Sequence, residues 1–326
     1  VNVMRAVLAH RHGVPEEVLD VLSDLPVPRP GDGQVLVRLH ARPVNPADLL
    51  YVEGRYGRRA DRFPTAVGFE GSGTVEAVGG GTSAPVGARV AVAARGTWGE
   101  YVLAGNDDLV LLPDELPHEV ACQATINPVT ALSLLDVLNL ERGAALVHTA
   151  AASTVGRMLL PLAERAGIRC VCVVRGEERT EELIRLGARA VVDGGSEAVE
   201  DALREHTGGG ADAALDAVGG ELGSSVLRCV RSGGRFVSYG MLSGEPLRIT
   251  PDSLVFDDIR VEGFWLPVHL ARLTSAERSR LTERALALLS DPRCRPVVGQ
   301  RFDLSEVRRA VALAGRSHRG KIVLTG

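Results

Sequence analysis

Apolar and polar residues alternate through the first hundred positions in short runs broken by glycine and proline. Residues 35–39 (Val-Leu-Val-Arg-Leu), 71–77, 88–93 and 101–103 read as strands, because a period of two sends successive side chains to opposite faces of a sheet. Further along the period lengthens. Residues 121–138 read as a helix with Pro128 inside it. Strands then follow at 145–148, 170–174, 190–193, 213–216, 235–238 and 260–264, with helices at 159–166, 181–186, 198–206 and 222–229 among them. Strands separated by helices at this spacing predict a parallel, doubly wound sheet, since neighbouring parallel strands need a long crossover. Two helices, 275–290 and 305–314, and a short strand at 321–324 close the chain and are expected to rejoin its β-rich first part.

Composition narrows the class. A chain of 326 residues exceeds what one core usually organises, so two domains are expected. Hydrophobic content is 45%, and no apolar run reaches the ~18 residues a membrane helix requires. With neither a signal-like apolar stretch nor an Arg/Ser-rich transit pattern at the start, the expected location is cytoplasmic and no membrane partner is expected. The formal net charge is -4 and the arginines are scattered along the chain, which argues against a nucleic-acid partner. Five cysteines (Cys122, Cys170, Cys172, Cys229, Cys294) form no Cys-x-x-Cys pair, as expected for reduced, mostly buried thiols. Of the 37 basic residues only one, Lys321, is a lysine.

Candidate chemistry begins between the strands at 145–148 and 170–174, where the chain reads Ala150-Ala151-Ala152-Ser153-Thr154-Val155-Gly156. Small residues let a helix N-terminus come close to a pyrophosphate, which its unpaired N–H groups and dipole attract. The Gly-x-Gly-x-x-Gly fingerprint is incomplete, since only Gly156 stands in one of its glycine positions, so an ordinary βαβ turn competes. Arg175 ends the second strand. An NAD site carries an acid there for the ribose hydroxyl, whereas an arginine suits a 2′-phosphate, so NADPH is the expected cofactor. The plainer reading of Arg175 is a solvated loop charge.

A β-rich start, an inserted nucleotide fold and a closing Gly320-Lys321-Ile322-Val323-Leu324 resemble the medium-chain dehydrogenase/reductase superfamily along nearly the whole chain. The resemblance implies an α/β chain with a GroES-like β-rich catalytic domain (residues 1–124 and 266–326), a Rossmann domain with a doubly wound parallel sheet (residues 125–265), and a homodimer. In zinc-dependent members a cysteine ligand precedes an Asp, and a histidine ligand follows the glycine of Gly-His-Glu. The matching segments here are Asn45-Pro46-Ala47-Asp48 and Gly68-Phe69-Glu70, so Asn45 and Phe69 replace both ligands, and the four-cysteine lobe is absent. A catalytic zinc needs three protein ligands, so no metal is expected.

Within that superfamily the chain is most similar to the zinc-free 2-enoyl-thioester reductases of fatty-acid synthesis. Asn45-Pro46 and Gly54-Arg55-Tyr56 match the family's Asn-Pro and Gly-x-Tyr, whose tyrosine is catalytic. Asn127-Pro128-Val129-Thr130-Ala131 matches Asn-Pro-x-Thr-Ala, whose asparagine faces the cofactor, and Ser253-Leu254-Val255-Phe256-Asp257-Asp258 with Gly263-Phe264-Trp265-Leu266 are the most specific matches. The resemblance implies that Tyr56 is catalytic and that Asn45 and Trp265 line the substrate pocket. It puts NADPH contacts at Asn127, Ala152, Ser153, Thr154, Val155, Gly156, Arg175, Gly176, Glu177, Arg179, Tyr239, Gly240, Met241, Leu242, Phe264, Trp265, Leu266 and Lys321. The chain departs from the family at Gly176-Glu177, where the family often has Asp-Arg and where Arg179 is the substitute. It departs again at Gly57 in place of proline and at Met241 in place of a second glycine.

Reducing a conjugated thioester, carried by CoA or an acyl carrier protein, delivers hydride to the β-carbon and pushes charge onto the thioester oxygen. A tyrosine hydroxyl, ordinarily protonated at neutral pH, donates to that oxygen. Plainer readings stand beside these assignments: Tyr56 as a loop tyrosine, Trp265 as a core aromatic, Asn45 as a turn residue before Pro46, Lys321 as a solvated charge, and Glu70 and Asp216 as structural acids. An NADPH:quinone reductase and a non-catalytic NADPH-binding protein remain the alternative functions.

Overall fold

The computed structural model describes residues 2–176, 178–316 and 318–326. Its contacts divide the chain into two units. The first holds the residues up to Pro128, then Ala285–Ser290 and Arg295–Gly326; the second holds Val129–Arg284 and Asp291–Cys294. Residues 266–284, expected with the β-rich part, group with the second unit, and residues 125–128 with the first.

The first unit is built on a sheet in the order Val298–Asp303, Lys321–Thr325, Gln34–Pro43, Glu70–Val78, Arg89–Ala93, Leu109–Leu111, with Tyr101–Gly105 also paired to Gln34–Pro43. Every pairing is antiparallel except that of Val298–Asp303 with Lys321–Thr325. Alternation in Gln34–Pro43 buries Val35, Val37 and Leu39 against Val75, Val90 and Val92. A smaller sheet, Leu19–Pro26, Val3–Ala9 and Thr65–Ala66, shares a core with Trp98, Phe302 and the helix Val307–Ala314. The helix expected over 121–138 is two: His118–Ala121, then Asn127–Leu138. Pro128 lacks an N–H and its ring collides with the carbonyl four residues back, so it is favoured in the first turn of a helix and costs stability in the middle of one.

The second unit carries six parallel strands in the order Ala190–Asp193, Arg169–Val174, Ala145–His148, Ala211–Asp216, Val230–Ser238, Arg260–Gly263. Numbered along the chain this is 3-2-1-4-5-6, with the order reversing beside Ala145–His148, and such sheets bind dinucleotides at the carboxyl ends of the strands at this switch point. The strands are near-continuous apolar runs such as Cys170-Val171-Cys172-Val173, all fully buried, because both faces are covered. All five cysteines are buried and unpaired. No helix among the described residues is long and apolar enough to cross a membrane.

Candidate active site

In the first unit a buried polar cluster joins residues that lie far apart in sequence. Asn45 precedes the helix Pro46–Val52, whose proline at N1 needs no hydrogen-bond partner. Its N–H donates to Asp48 Oδ2 at 2.8 Å, which fixes the turn into the helix. The Asn45 side chain is thereby aimed inward, where Nδ2 donates to Glu70 Oε1 at 2.8 Å and Oδ1 accepts from Lys321 Nζ at 2.7 Å. Asn127 Nδ2, in the first turn of the helix Asn127–Leu138, lies 3.5 Å from both Asn45 Oδ1 and Gln123 Oε1. The other oxygen of Glu70 accepts from Thr125 N, Thr125 Oγ1 and Ile126 N at 2.8–3.2 Å.

Burial sets the electrostatics of this cluster. It pushes the Glu70 and Asp48 carboxyls up to about 7 and pushes the Lys321 ammonium down. The hydrogen bonds from Asn45 and Thr125 act against burial at Glu70. Asp48 has weaker support, because its Oδ1 is buried without a hydrogen-bond partner. Glu70 is therefore the better home for a negative charge and Asp48 for a proton. Lys321, for which the sequence allows a solvated position, is buried, and Asn45 is both the residue before Pro46 and the hub of the cluster.

Tyr56 lies beyond the helix that Asn45 begins. Gly54 has φ 73°, and a Cβ there would sit 2.8 Å from His12 Cγ, so glycine is required for the chain to leave the helix in this direction. The N–H groups of Arg55 and Tyr56 both donate to Leu50 O, at 2.8 and 3.0 Å, anchoring the start of the loop. The half-buried Tyr56 ring stacks obliquely on Phe69, 5.3 Å between centroids, and Phe69 in turn meets Tyr51 edge-on at 5.3 Å. Tyr51 is fully buried, its hydroxyl 3.0 Å from Thr65 Oγ1.

Zinc does not suit these residues. Phe69 offers no donor atom, both side-chain heteroatoms of Asn45 are engaged, and no group of three or more His, Cys, Asp or Glu among the described residues is arranged to hold a metal.

The second unit offers groups that suit a dinucleotide. The helix Thr154–Ala166 begins within the turn read from the sequence, with Ser153 Oγ accepting from Gly156 N at 3.2 Å. A Cβ on Gly156 would lie 2.5 Å from Ala151 O, so only glycine lets the helix pack this closely on the preceding turn. Apart from that of Gly156, the first N–H groups of this helix have no partner within it, the general arrangement that attracts an anion. Arg175 is exposed at the end of Arg169–Val174, and Gly176 N donates to Asp193 Oδ1 at 2.9 Å. Glu177 lies outside the described residues, while Arg179 is half-buried before the helix Thr180–Leu186.

On the next strands, Asp216 accepts from Thr149 Oγ1, Val218 N and Gly219 N and so shapes the loop after its strand. The Tyr239 hydroxyl lies 2.7 Å from His148 Nε2, and burial pushes the His148 imidazole down to about 3, keeping it neutral. A Cβ on Gly240 would lie 2.7 Å from Ala217 O, while Met241 and Leu242 are exposed. Phe264 donates its N–H to Ser238 O at 2.8 Å, and Trp265, half-buried, precedes the helix that Leu266 opens. The residues read from sequence thus fall into two groups: Asn45, Asn127 and Lys321 in one hydrogen-bonded cluster with Tyr56 in the same unit, and the others around the parallel sheet. The sequence reading missed Asp48 and His148 and set Glu70 aside as structural. The proline-plus-acid pattern after Asn45 was a capping signal for Asp48, whereas nothing local marks His148, whose partner is 91 residues away.

Two family models match the chain: an alcohol dehydrogenase GroES-like domain over residues 31–114 and a zinc-binding dehydrogenase over residues 154–284. A mitochondrial enoyl-[acyl-carrier-protein] reductase of Arabidopsis thaliana is 32% identical, covering 88% of this chain and 78% of the relative. Among solved structures, a Bacillus thuringiensis protein assigned as an NADPH:quinone reductase is 31% identical with a TM-score of 0.93, covering 100% of both chains. A mycobacterial protein solved with NADPH is 30% identical with a TM-score of 0.89, covering 99% of this chain and 100% of that one.

Proposed function

The chain belongs to the medium-chain dehydrogenase/reductase family, and on that footing we propose that it reduces the 2,3 double bond of an enoyl thioester with NADPH and without zinc. Bound NADPH supplies the hydride. On the protein side, the N-terminus of Thr154–Ala166 receives the pyrophosphate and Arg175 pairs with the 2′-phosphate. In the first unit, Asn45 and Glu70 hold Lys321 and Asn127 in fixed orientations. As hydride reaches the β-carbon, charge moves onto the thioester oxygen, and the Tyr56 hydroxyl donates a hydrogen bond to it. A donor that is already positioned stabilises the enolate without reorganising in the transition state.

The observation that carries this reading is the contact between Tyr56 and Phe69. Where a metal-dependent relative has a ligand, this chain has a hydrocarbon ring, and packed on that ring is a phenol able to take over the electrophile's task. The 32% identical plant enoyl reductase supports the substrate class. Crotonyl-CoA with NADPH is the direct test: oxidation of NADPH with formation of butyryl-CoA is expected, and no turnover of crotonyl-CoA or longer 2-enoyl-CoAs overturns the reading. The similarity to an assigned NADPH:quinone reductase supports a second reading. That one requires faster turnover with a naphthoquinone than with any enoyl thioester, unaffected by Tyr56→Phe.

A further inference from the structure

The loop around Tyr56 is basic within a chain whose net charge is negative. Residues 53–64 hold Arg55, Arg58, Arg59 and Arg62 against Glu53 and Asp61. Arg55 is paired with Glu53 at 3.0 Å. Arg62 is exposed and lines a hollow of ≈ 480 Å³ with Asp61, Pro64, Thr65, Ala66 and a second exposed arginine, Arg95, from another loop. Neither Arg62 nor Arg95 makes an ion pair among the described residues.

The fold holds the two arginines together. Gly96, with φ 96°, donates its N–H to Gly68 O at 2.9 Å, and a Cβ there would sit 3.2 Å from the Ala66 Cβ. This seats the Arg95 turn on the short strand Thr65–Ala66, which itself pairs with Ala9 and Leu8. From the floor of the hollow, Thr65 leads through Tyr51 and Phe69 to Tyr56 by one hydrogen bond and two ring contacts. A hollow carrying two arginines and one aspartate is therefore joined to the candidate catalytic tyrosine through Thr65, Tyr51 and Phe69, in the same unit.

We infer that Arg62 and Arg95 form a subsite for the phosphates of the 3′-phospho-ADP head of coenzyme A. The inference rests on the enoyl-thioester reading above. Guanidinium groups bind phosphate oxygens through paired, charge-assisted hydrogen bonds, and two of them facing one hollow match a phosphate-bearing head. The size also favours a nucleotide over a protein, because small-molecule sites span roughly 300–1,000 Å³ whereas a carrier protein docks on a broad, flatter face. The pantetheine arm separates the thioester from the phosphates, so the phosphate subsite belongs beside the reacting tyrosine and not on it. A quinone has no group for this hollow.

The test is the variant Arg62→Ala/Arg95→Ala, assayed with NADPH on three crotonyl thioesters: CoA, N-acetylcysteamine and an acyl carrier protein. Free CoA and dephospho-CoA are also titrated calorimetrically onto the NADPH-saturated protein. The expected result is a KM for crotonyl-CoA raised about tenfold or more, the change that loss of charge-assisted phosphate contacts brings. The N-acetylcysteamine thioester should be turned over as by the parent, which also shows that the variant is folded. In the titration, CoA should lose affinity and approach dephospho-CoA. An unchanged KM for crotonyl-CoA overturns the subsite, as does an equal loss on all three thioesters or a loss confined to the carrier-protein substrate. If the parent reduces no thioester yet CoA binding falls in the variant, the subsite stands and the enoyl reading fails. If the parent reduces thioesters and the variant matches it throughout, only the subsite fails.

Discussion

The rings of Phe69 and Tyr56 lie 5.3 Å apart, inclined at 35°, with Tyr51 against the other side of the same phenylalanine. Phe69, in the segment Gly68-Phe69-Glu70, thus supplies the packing surface for a phenol. Phe69→Leu keeps an apolar side chain but removes both ring contacts. We expect about 1–2 kcal/mol less stability by denaturant titration, and a lower kcat for crotonyl-CoA, because Tyr56 is then less well held. Unchanged kcat in the folded variant would show that the ring does not position the tyrosine.

Lys321 and Asn45 form the second relationship of this kind. A chain with 37 basic residues uses lysine once, and that lysine is buried. Its compact ammonium reaches Asn45 Oδ1 in a space crowded by Asp48 and Glu70, whereas the wider guanidinium fork needs more donor partners. Lys321→Met is expected to cost about 1.5–3 kcal/mol, the value of a buried hydrogen bond to a charged group. Lys321→Met and Asn45→Ala should be clearly non-additive in a double-mutant cycle, by about 0.5–3 kcal/mol. Additive losses would mean that the two side chains do not act together.

The buried acids give a pH dependence of definite sign. Burial lifts Asp48 from 3.8 to about 7, so the folded chain keeps a proton that the unfolded chain gives up near pH 4. The associated stability is complete below that value and is lost as pH rises through about 7. Asp48→Asn fixes the neutral form, so its Tm should fall less than the parent's between pH 6 and pH 8. Parallel curves would assign the proton elsewhere, with Glu70 the first alternative.

Most of the fold was legible because its signals are local. The parallel-sheet rhythm from Ala145 onward follows from apolar runs spaced by helices, and the helix Ser275–Ser290 matches the reading at both ends. Not every element was legible: the strands Val3–Ala9 and Leu19–Pro26 went unread, as did two shorter ones. The strands Thr65–Ala66 and Leu109–Leu111 exist through their partners and carry too few residues to show a period. The site divides in the same way. Asn45, Asn127 and Lys321 each stood in a recognisable motif, but their meeting depends on the pairing of Lys321–Thr325 with Gln34–Pro43, nearly three hundred residues apart. Burial decided the roles of Asp48 and Glu70, and no single stretch of sequence displays it.

In the proposed function, cofactor choice is assigned to Arg175, just after the strand Arg169–Val174. Arg175→Ala should raise the KM for NADPH about tenfold or more while leaving that for NADH nearly unchanged, since only NADPH carries the phosphate that the guanidinium pairs with. Equal losses for both cofactors would make the arginine a structural residue of the loop.

Tyr56→Phe removes one oxygen and keeps the ring on Phe69. Steady-state rates of parent and variant with crotonyl-CoA, and with a naphthoquinone as the comparison acceptor, separate the chemistry from the packing. The expected result is a kcat for crotonyl-CoA lower by roughly 10²–10³, the usual effect of deleting one donor to a developing oxyanion, with KM and quinone turnover little changed. A variant that reduces crotonyl-CoA as fast as the parent would contradict the role assigned to Tyr56 and, with it, the enoyl-thioester function.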